Sequence, residues 1–131
     1  MIEPEWIEEE VTQLIHQRQL AEHGGQEGIR DEGMLLSALS KPLQLFSYGD
    51  PPPDLCALAA AYGFGLAKNH PFLDGNKRTA AVICELFLAV NGIVVTASEI
   101  EKYPEYLALA SGDRTEESFA EWLRSVTQTA A

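Results

Sequence analysis

Cysteine, basic charge and long apolar runs are all scarce in this chain of 131 residues. Its two cysteines, Cys56 and Cys84, sit in apolar stretches with no CxxC spacing. That argues against a disulfide framework or a thiolate zinc site and predicts buried, reduced thiols. Nine lysines and arginines against twenty acidic residues leave a net charge of −11. Such a balance disfavours non-specific binding to nucleic acid or anionic lipid. The apolar stretches are broken by Lys68, Asn69, Glu85 and Asn91, and a membrane span needs about 20 apolar residues. Residues Met1 to Glu5 lack the basic start and apolar core of a signal peptide, so a cytoplasmic location is expected. No GxxxxGK[ST] run is present, which removes the commonest nucleotide cradle. Neither a repeat nor a linker divides the chain, and one domain over residues 1–131 is expected.

What is present is mostly helical periodicity. Ile7, Val11, Leu14 and Ile15 recur at helical spacing ahead of Gly24-Gly25. Asp31 reads as the N-cap of a short helix carrying Met34, Leu35, Ala38 and Leu39, stopped by Pro42. Residues Leu43 to Pro53 read as a loop or short hairpin. Asp54 caps an alanine-rich helix that ends at His70-Pro71, because the residue before proline avoids the helical region. Asn76 to Val90 is apolar on nearly every face and reads as the central helix, closed by Asn91-Gly92. Ile93 to Val95 reads as a brief extended piece. Ser98 starts a helix that contains Pro104, and Thr115 opens a last one with Phe119, Trp122, Leu123 and Val126 as its buried stripe. The expected fold is all-α, with five to seven helices. Acidic clusters at Glu3 to Glu10 and Glu116 to Glu121 read as solvated faces, and His16 and His23 as surface residues.

Chemistry concentrates in His70-Pro71-Phe72-Leu73-Asp74-Gly75-Asn76-Lys77-Arg78-Thr79. A helix N-terminus presents unpaired N–H groups and the positive end of a dipole. Gly75 permits close approach of a ligand, Asn76 can cap the helix, and Lys77 and Arg78 suit phosphate oxygens. Asp74 is out of place beside an anion unless it holds a cation such as Mg²⁺, which takes one or two carboxylates and phosphate oxygens. His70 is a candidate general base, since neutral imidazole is available near pH 7. Phe72 reads as a buried anchor for the loop.

These residues resemble the HxFx(D/E)(A/G)NKR signature of the Doc (death-on-curing) branch of the Fic/Doc family. Gly24-Gly25, Gly28-Ile29-Arg30-Asp31, Leu35 to Leu39, Ala59 to Asn69 and Asn91-Gly92 extend the resemblance over nearly the whole chain. The resemblance implies a compact bundle of about six helices with a short flap, and an enzyme that attaches nucleotide-derived phosphoryl groups to protein hydroxyls. The Fic branch, with HxFx(D/E)GN(G)RxxR, transfers AMP. Here Lys77 stands where that pattern has a glycine, and Ala81 where it has the second arginine. Those departures mark the Doc branch, whose members act like kinases on translation elongation factor Tu.

By this resemblance His70 is the base toward the target hydroxyl and Asp74 holds Mg²⁺. Gly75, Asn76, Lys77 and Arg78 hold the phosphates of ATP, with Lys68 adding positive charge. Leu43, Leu45, Phe46 and Tyr48 fall where the family has a flap that clamps the target by strand addition. Fic proteins carry an inhibitory (S/T)xxxE(G/N) helix. The E-G pairs here, Glu27-Gly28 and Glu32-Gly33, are preceded four residues earlier by His23 and Gly28, so neither fits. Neutralisation by a separate antitoxin, through a C-terminal segment that folds on binding, is what the resemblance implies instead. Two other readings stay open: an AMP transferase, and a module that binds a nucleotide or phosphate without turnover.

Overall fold

The structure, a computed structural model, describes residues 2–130. Along the chain run α1 (Glu9–His23), α2 (Glu32–Tyr48), α3 (Leu55–Asn69), α4 (Asn76–Val90), β1 (Ile93–Val95), α5 (Glu99–Ser111), α6 (Glu116–Ser125) and β2 (Thr127–Thr129). The all-α expectation holds, with one small sheet. Four helices start as the sequence predicts: the side chains of Asp31, Asp54, Ser98 and Thr115 accept the backbone N–H groups of Met34, Ala57, Glu101 and Ser118. Each such cap stabilises its helix by about 1 kcal/mol. Ser98 and Glu101 form a full capping box.

The central helix is α3, not α4. Ten of its fifteen residues are buried, and it packs against α2, α4, α5 and α6. Its alanines and glycines make this possible. A Cβ on Gly65 would stand 3.3 Å from the Cα and Cβ of Ala38 in α2, a tight contact with backbone that glycine relieves. The wider apolar surface of α4 is divided between this core and an open groove described below. Tyr62, on α3, also reaches beyond the helices: its hydroxyl accepts the Ile7 N–H at 2.9 Å. Trp6 lies between Phe46, edge-on at 5.6 Å, and Phe87, stacked at 5.9 Å.

Two expectations about α1 and α2 are corrected. Ile7 precedes α1, Val11 and Leu14 are exposed, and the buried face is Thr12, His16 and Leu20. A helix this charged meets the core along a narrow seam, and its neighbours choose the seam. Pro42 does not stop α2, which continues through it to Tyr48. A proline inside a helix removes one hydrogen bond at a cost of roughly 3 kcal/mol. Leu45 and Phe46, both partly buried, pack on the core one turn later and help to offset it. The segment Leu43 to Tyr48 is therefore helical and offers no strand edge; Leu43 and Tyr48 face outward. Pro104 likewise lies inside α5.

The extended piece at Ile93–Val95 is present, and its partner, which the sequence did not reveal, is Thr127–Thr129 in antiparallel register with Val94 opposite Gln128. At the C-terminal end of α4, Asn91 bonds both the N–H and the carbonyl of Glu5, tying the N-terminal segment down. Cys56 and Cys84 are free and buried, and burial pushes both thiols up from their ordinary value. No helix among the described residues is long and apolar enough to cross a membrane.

Candidate functional site

The motif forms the connection between α3 and α4. His70 is the C-cap of α3 in the left-handed region (φ 47, ψ 56), and Gly75 is the N-cap of α4, also left-handed (φ 77, ψ 16). Pro71 and Phe72 turn inward and are buried, while His70, Leu73, Asp74, Lys77 and Arg78 remain exposed. The loop is thus fixed from beneath and open above.

Helix α4 begins differently from the four helices with side-chain caps. Gly75 has no side chain to cap it, no acidic residue lies in the first turn, and Lys77 and Arg78 stand there instead. Placing cations at the positive end of a helix is unfavourable unless an anion joins them. The N–H groups of Asn76, Lys77 and Arg78 have no hydrogen-bond partner among the described residues. Three free N–H donors, with a lysine and an arginine in the same first turn, make a cradle suited to phosphate oxygens.

Asn76 is not the cap that the sequence suggested. Its carbonyl oxygen accepts the Phe72 N–H at 2.9 Å and its amide donates to the Phe72 carbonyl at 2.9 Å. Both ends of the side chain close the loop, so what Asn76 presents to a ligand is its backbone. Asp74 accepts the Gln26 N–H on one carboxylate oxygen at 3.2 Å, leaving the other uncommitted. No group of three metal-ligating side chains occurs among the described residues. A lone carboxylate beside a phosphate cradle nevertheless fits Mg²⁺, which takes most of its shell from water and phosphate.

The segment between α1 and α2 braces the loop. Ile29 forms an antiparallel bridge with Phe72, and Leu73 N–H donates to the Gly28 carbonyl at 3.1 Å. A Cβ on Gly25, at φ 132, would stand 3.3 Å from the Asp74 side chain, so glycine is needed for that approach. From α1, His16 is buried beneath the loop rather than on the surface. Its ring stacks on Phe72 with centroids 3.7 Å apart, and its Nε2 lies 2.8 Å from the Asp74 carbonyl oxygen. A carbonyl can only accept, so Nε2 carries the proton. The spacing Thr12, His16, Leu20 was the available signal, masked by the more apolar Val11 and Leu14.

Lys77 and Arg78 also border a groove of about 730 Å³ that runs along α4 past Ala81, Val82 and Leu86, between α1, β1 and α5. On its wall Glu85 accepts from Tyr106 at 2.8 Å and pairs with Lys102 at 3.0 Å. Burial, with the Glu85 carboxylate beside it, pushes the Tyr106 hydroxyl far up, so it stays a donor. Lys68 does not join the cradle by any hydrogen bond or ion pair among the described residues. Its Nζ lies 3.8 Å from where a Gly112 Cβ would stand, at the carboxyl end of α5, where a cation is favoured.

The family model described as Fic/DOC family matches residues 6–88. The protein named Toxin Doc of Mycolicibacterium smegmatis is 44% identical over 75 residues, covering 56% of this chain and 57% of its own. The chain thus spans little more than half of that relative's length. The one named Protein kinase doc of Escherichia phage P1 is 31% identical over 110 residues, covering 84% of this chain and 86% of its own.

Proposed function

This chain belongs to the Doc branch of the Fic/Doc family, and we propose that it transfers the γ-phosphate of ATP to a serine or threonine hydroxyl of a protein. The observation that carries the reading is the uncapped start of α4, with three unpaired N–H groups, Lys77 and Arg78 in its first turn, and His70 and Asp74 on the loop before it.

In this reading the N–H groups of Asn76, Lys77 and Arg78 and the two cations hold the phosphate chain. Asp74 would hold Mg²⁺, which when bound neutralises charge on the phosphate oxygens. His70 takes the proton of the target hydroxyl as its oxygen bonds to the γ-phosphorus. The bond from that phosphorus to the β,γ-bridging oxygen breaks, and ADP departs. Little covalent work is left to the protein in such a transfer, so placement and charge decide the rate.

Lys77 and Ala81 favour this reaction over AMP transfer. A glycine at 77 would leave room for the phosphate chain along the helix start, and an arginine at 81 would grip its far end; this chain has neither. The word kinase in the phage relative's name points the same way. The name Toxin Doc further suggests a toxin, and the resemblance of the motif to the Doc branch adds translation elongation factor Tu as the proposed target, with arrest of translation as the outcome. Its antitoxin would present a C-terminal segment that orders on the exposed face of α1 or in the neighbouring groove. The test is transfer of label from ATP to proteins of a bacterial lysate and to purified factor Tu. Transfer of γ-label is expected. Transfer of α-label would make the chain an AMP transferase, and transfer of neither would leave a binding module.

A further inference from the structure

Nothing in the reaction above uses Arg30, yet this one residue donates to three successive carbonyls at the end of α3. Its Nε donates to the His70 carbonyl at 2.6 Å, its Nη2 to the Asn69 carbonyl at 2.7 Å, and its backbone N–H to the Pro71 carbonyl at 2.7 Å. The reason lies one residue further on. A helix that ends in a left-handed residue is ordinarily closed by the next residue's N–H, which bonds back to a carbonyl of the last turn. Here the next residue is Pro71, which has no N–H. A residue before proline also prefers extended backbone, whereas His70 is the one non-glycine residue at positive φ among the described residues. Its conformation is therefore opposed by its own side chain and not supported by the closure that left-handed caps normally enjoy.

We propose that Arg30 is the positioning residue of His70. Its guanidinium holds the end of α3 where that closure is missing, and so sets where the imidazole stands relative to the start of α4. A planar fork with two parallel donors matches two adjacent carbonyls, which a lysine ammonium cannot do in one fixed geometry. The cation also sits at the negative end of the α3 dipole. Arg30 touches no reacting atom; it acts through the backbone of residues 69–71. The catalytic half of the inference rests on the reading of His70 as the base, while the conformational half stands without it.

The test compares wild type with Arg30→Ala and Arg30→Lys. The readouts are steady-state γ-phosphate transfer and proton–carbon spectra of histidine-labelled full-length protein. Misplacing a base by an ångström costs about 10²-fold in rate. Arg30→Ala should therefore lower kcat by about that factor and leave KM for ATP within about twofold, since the cradle on α4 is untouched. The His70 backbone and ring resonances should move, while those of His16 and His23 stay. Arg30→Lys should fall between, and it keeps the comparison open if the alanine variant does not fold. A loss of melting temperature with kcat and His70 resonances unchanged would overturn the proposal, because a merely structural staple gives that result. If the wild-type chain transfers no phosphate, the base assignment fails separately, and the His70 resonances alone decide whether Arg30 holds that backbone.

Discussion

The imidazole of His16 and the ring of Phe72 lie face to face, 3.7 Å between centroids and 9° from parallel, although one comes from α1 and the other from the functional loop. The acidic first helix is thereby part of the site's foundation. His16→Ala should remove both the stack and the donor to the Asp74 carbonyl. A buried aromatic truncation and an unsatisfied carbonyl together cost roughly 2–4 kcal/mol. His16→Phe keeps the stack and loses the donor, so a smaller loss of about 1–3 kcal/mol is expected. Urea unfolding of the two variants separates these contributions, and equal losses would mean that the stack on Phe72 contributes nothing.

That His16 was legible only in the structure illustrates what a linear reading can and cannot extract. Helix starts marked by Asp31, Asp54, Ser98 and Thr115 are local events, decided within three residues, and they appear where their chemistry puts them. The motif from His70 to Arg78 is local as well. Decisions made by tertiary packing were not readable. Pro42 was outweighed by the burial of Leu45 and Phe46 from a later turn. The strand Thr127–Thr129 forms only because β1 offers it an edge. Asn76 is an intermediate case: its place in the loop was clear, but both polar ends of its side chain are committed to Phe72.

The two glycines of α3 should respond in opposite ways to the same substitution. A Cβ at Gly63 would meet Cys84 Cβ at 3.5 Å and Leu109 Cδ2 at 3.6 Å, ordinary contact distances. Gly63→Ala should therefore stabilise by about 0.5–1 kcal/mol, the usual gain over glycine inside a helix. At Gly65 the same atom would press at 3.3 Å on the backbone and Cβ of Ala38. Backbone cannot yield cheaply, and overpacking of this kind costs about 1–3 kcal/mol, more than the propensity gain. Denaturant midpoints moving in the same direction for both variants would contradict this account of how α2 and α3 meet.

Acid should weaken the junction between α3 and α6 in a defined way. Asp54 bonds Arg124 through both oxygens, at 2.6 and 3.0 Å, while also accepting the Ala57 N–H at 2.8 Å. The Arg124 hydrogen bonds, against an opposing push from partial burial, hold its carboxyl below the ordinary value of 3.8. A depressed folded-state value means that the stabilisation is fully present above about pH 4 and is lost as pH falls through the lowered value. The pair is half exposed, so its worth is on the order of 0–1 kcal/mol. Asp54→Asn keeps a capping oxygen and discards the charge. Its unfolding free energy should sit slightly below wild type at pH 7 and converge with it in acid; a constant offset down to pH 2 would remove the ion pair from the explanation.

Asp74 and His70 should fail in different ways when altered, because one is assigned to the bound nucleotide and the other to the incoming hydroxyl. Asp74→Asn retains an oxygen for the Gln26 N–H, so the loop should keep its shape while losing the charge that a divalent cation requires. Calorimetric titration with ATP should then show binding that no longer strengthens when Mg²⁺ is added, with affinity in the presence of Mg²⁺ reduced by at least about tenfold, the equivalent of 1.4 kcal/mol. His70→Ala leaves the α4 cradle and Asp74 in place. It should bind ATP with Mg²⁺ as wild type does and transfer nothing, because the target hydroxyl keeps its proton. If Asp74→Asn instead binds ATP with Mg²⁺ normally and only turnover is lost, the assignment of Asp74 to the cation fails.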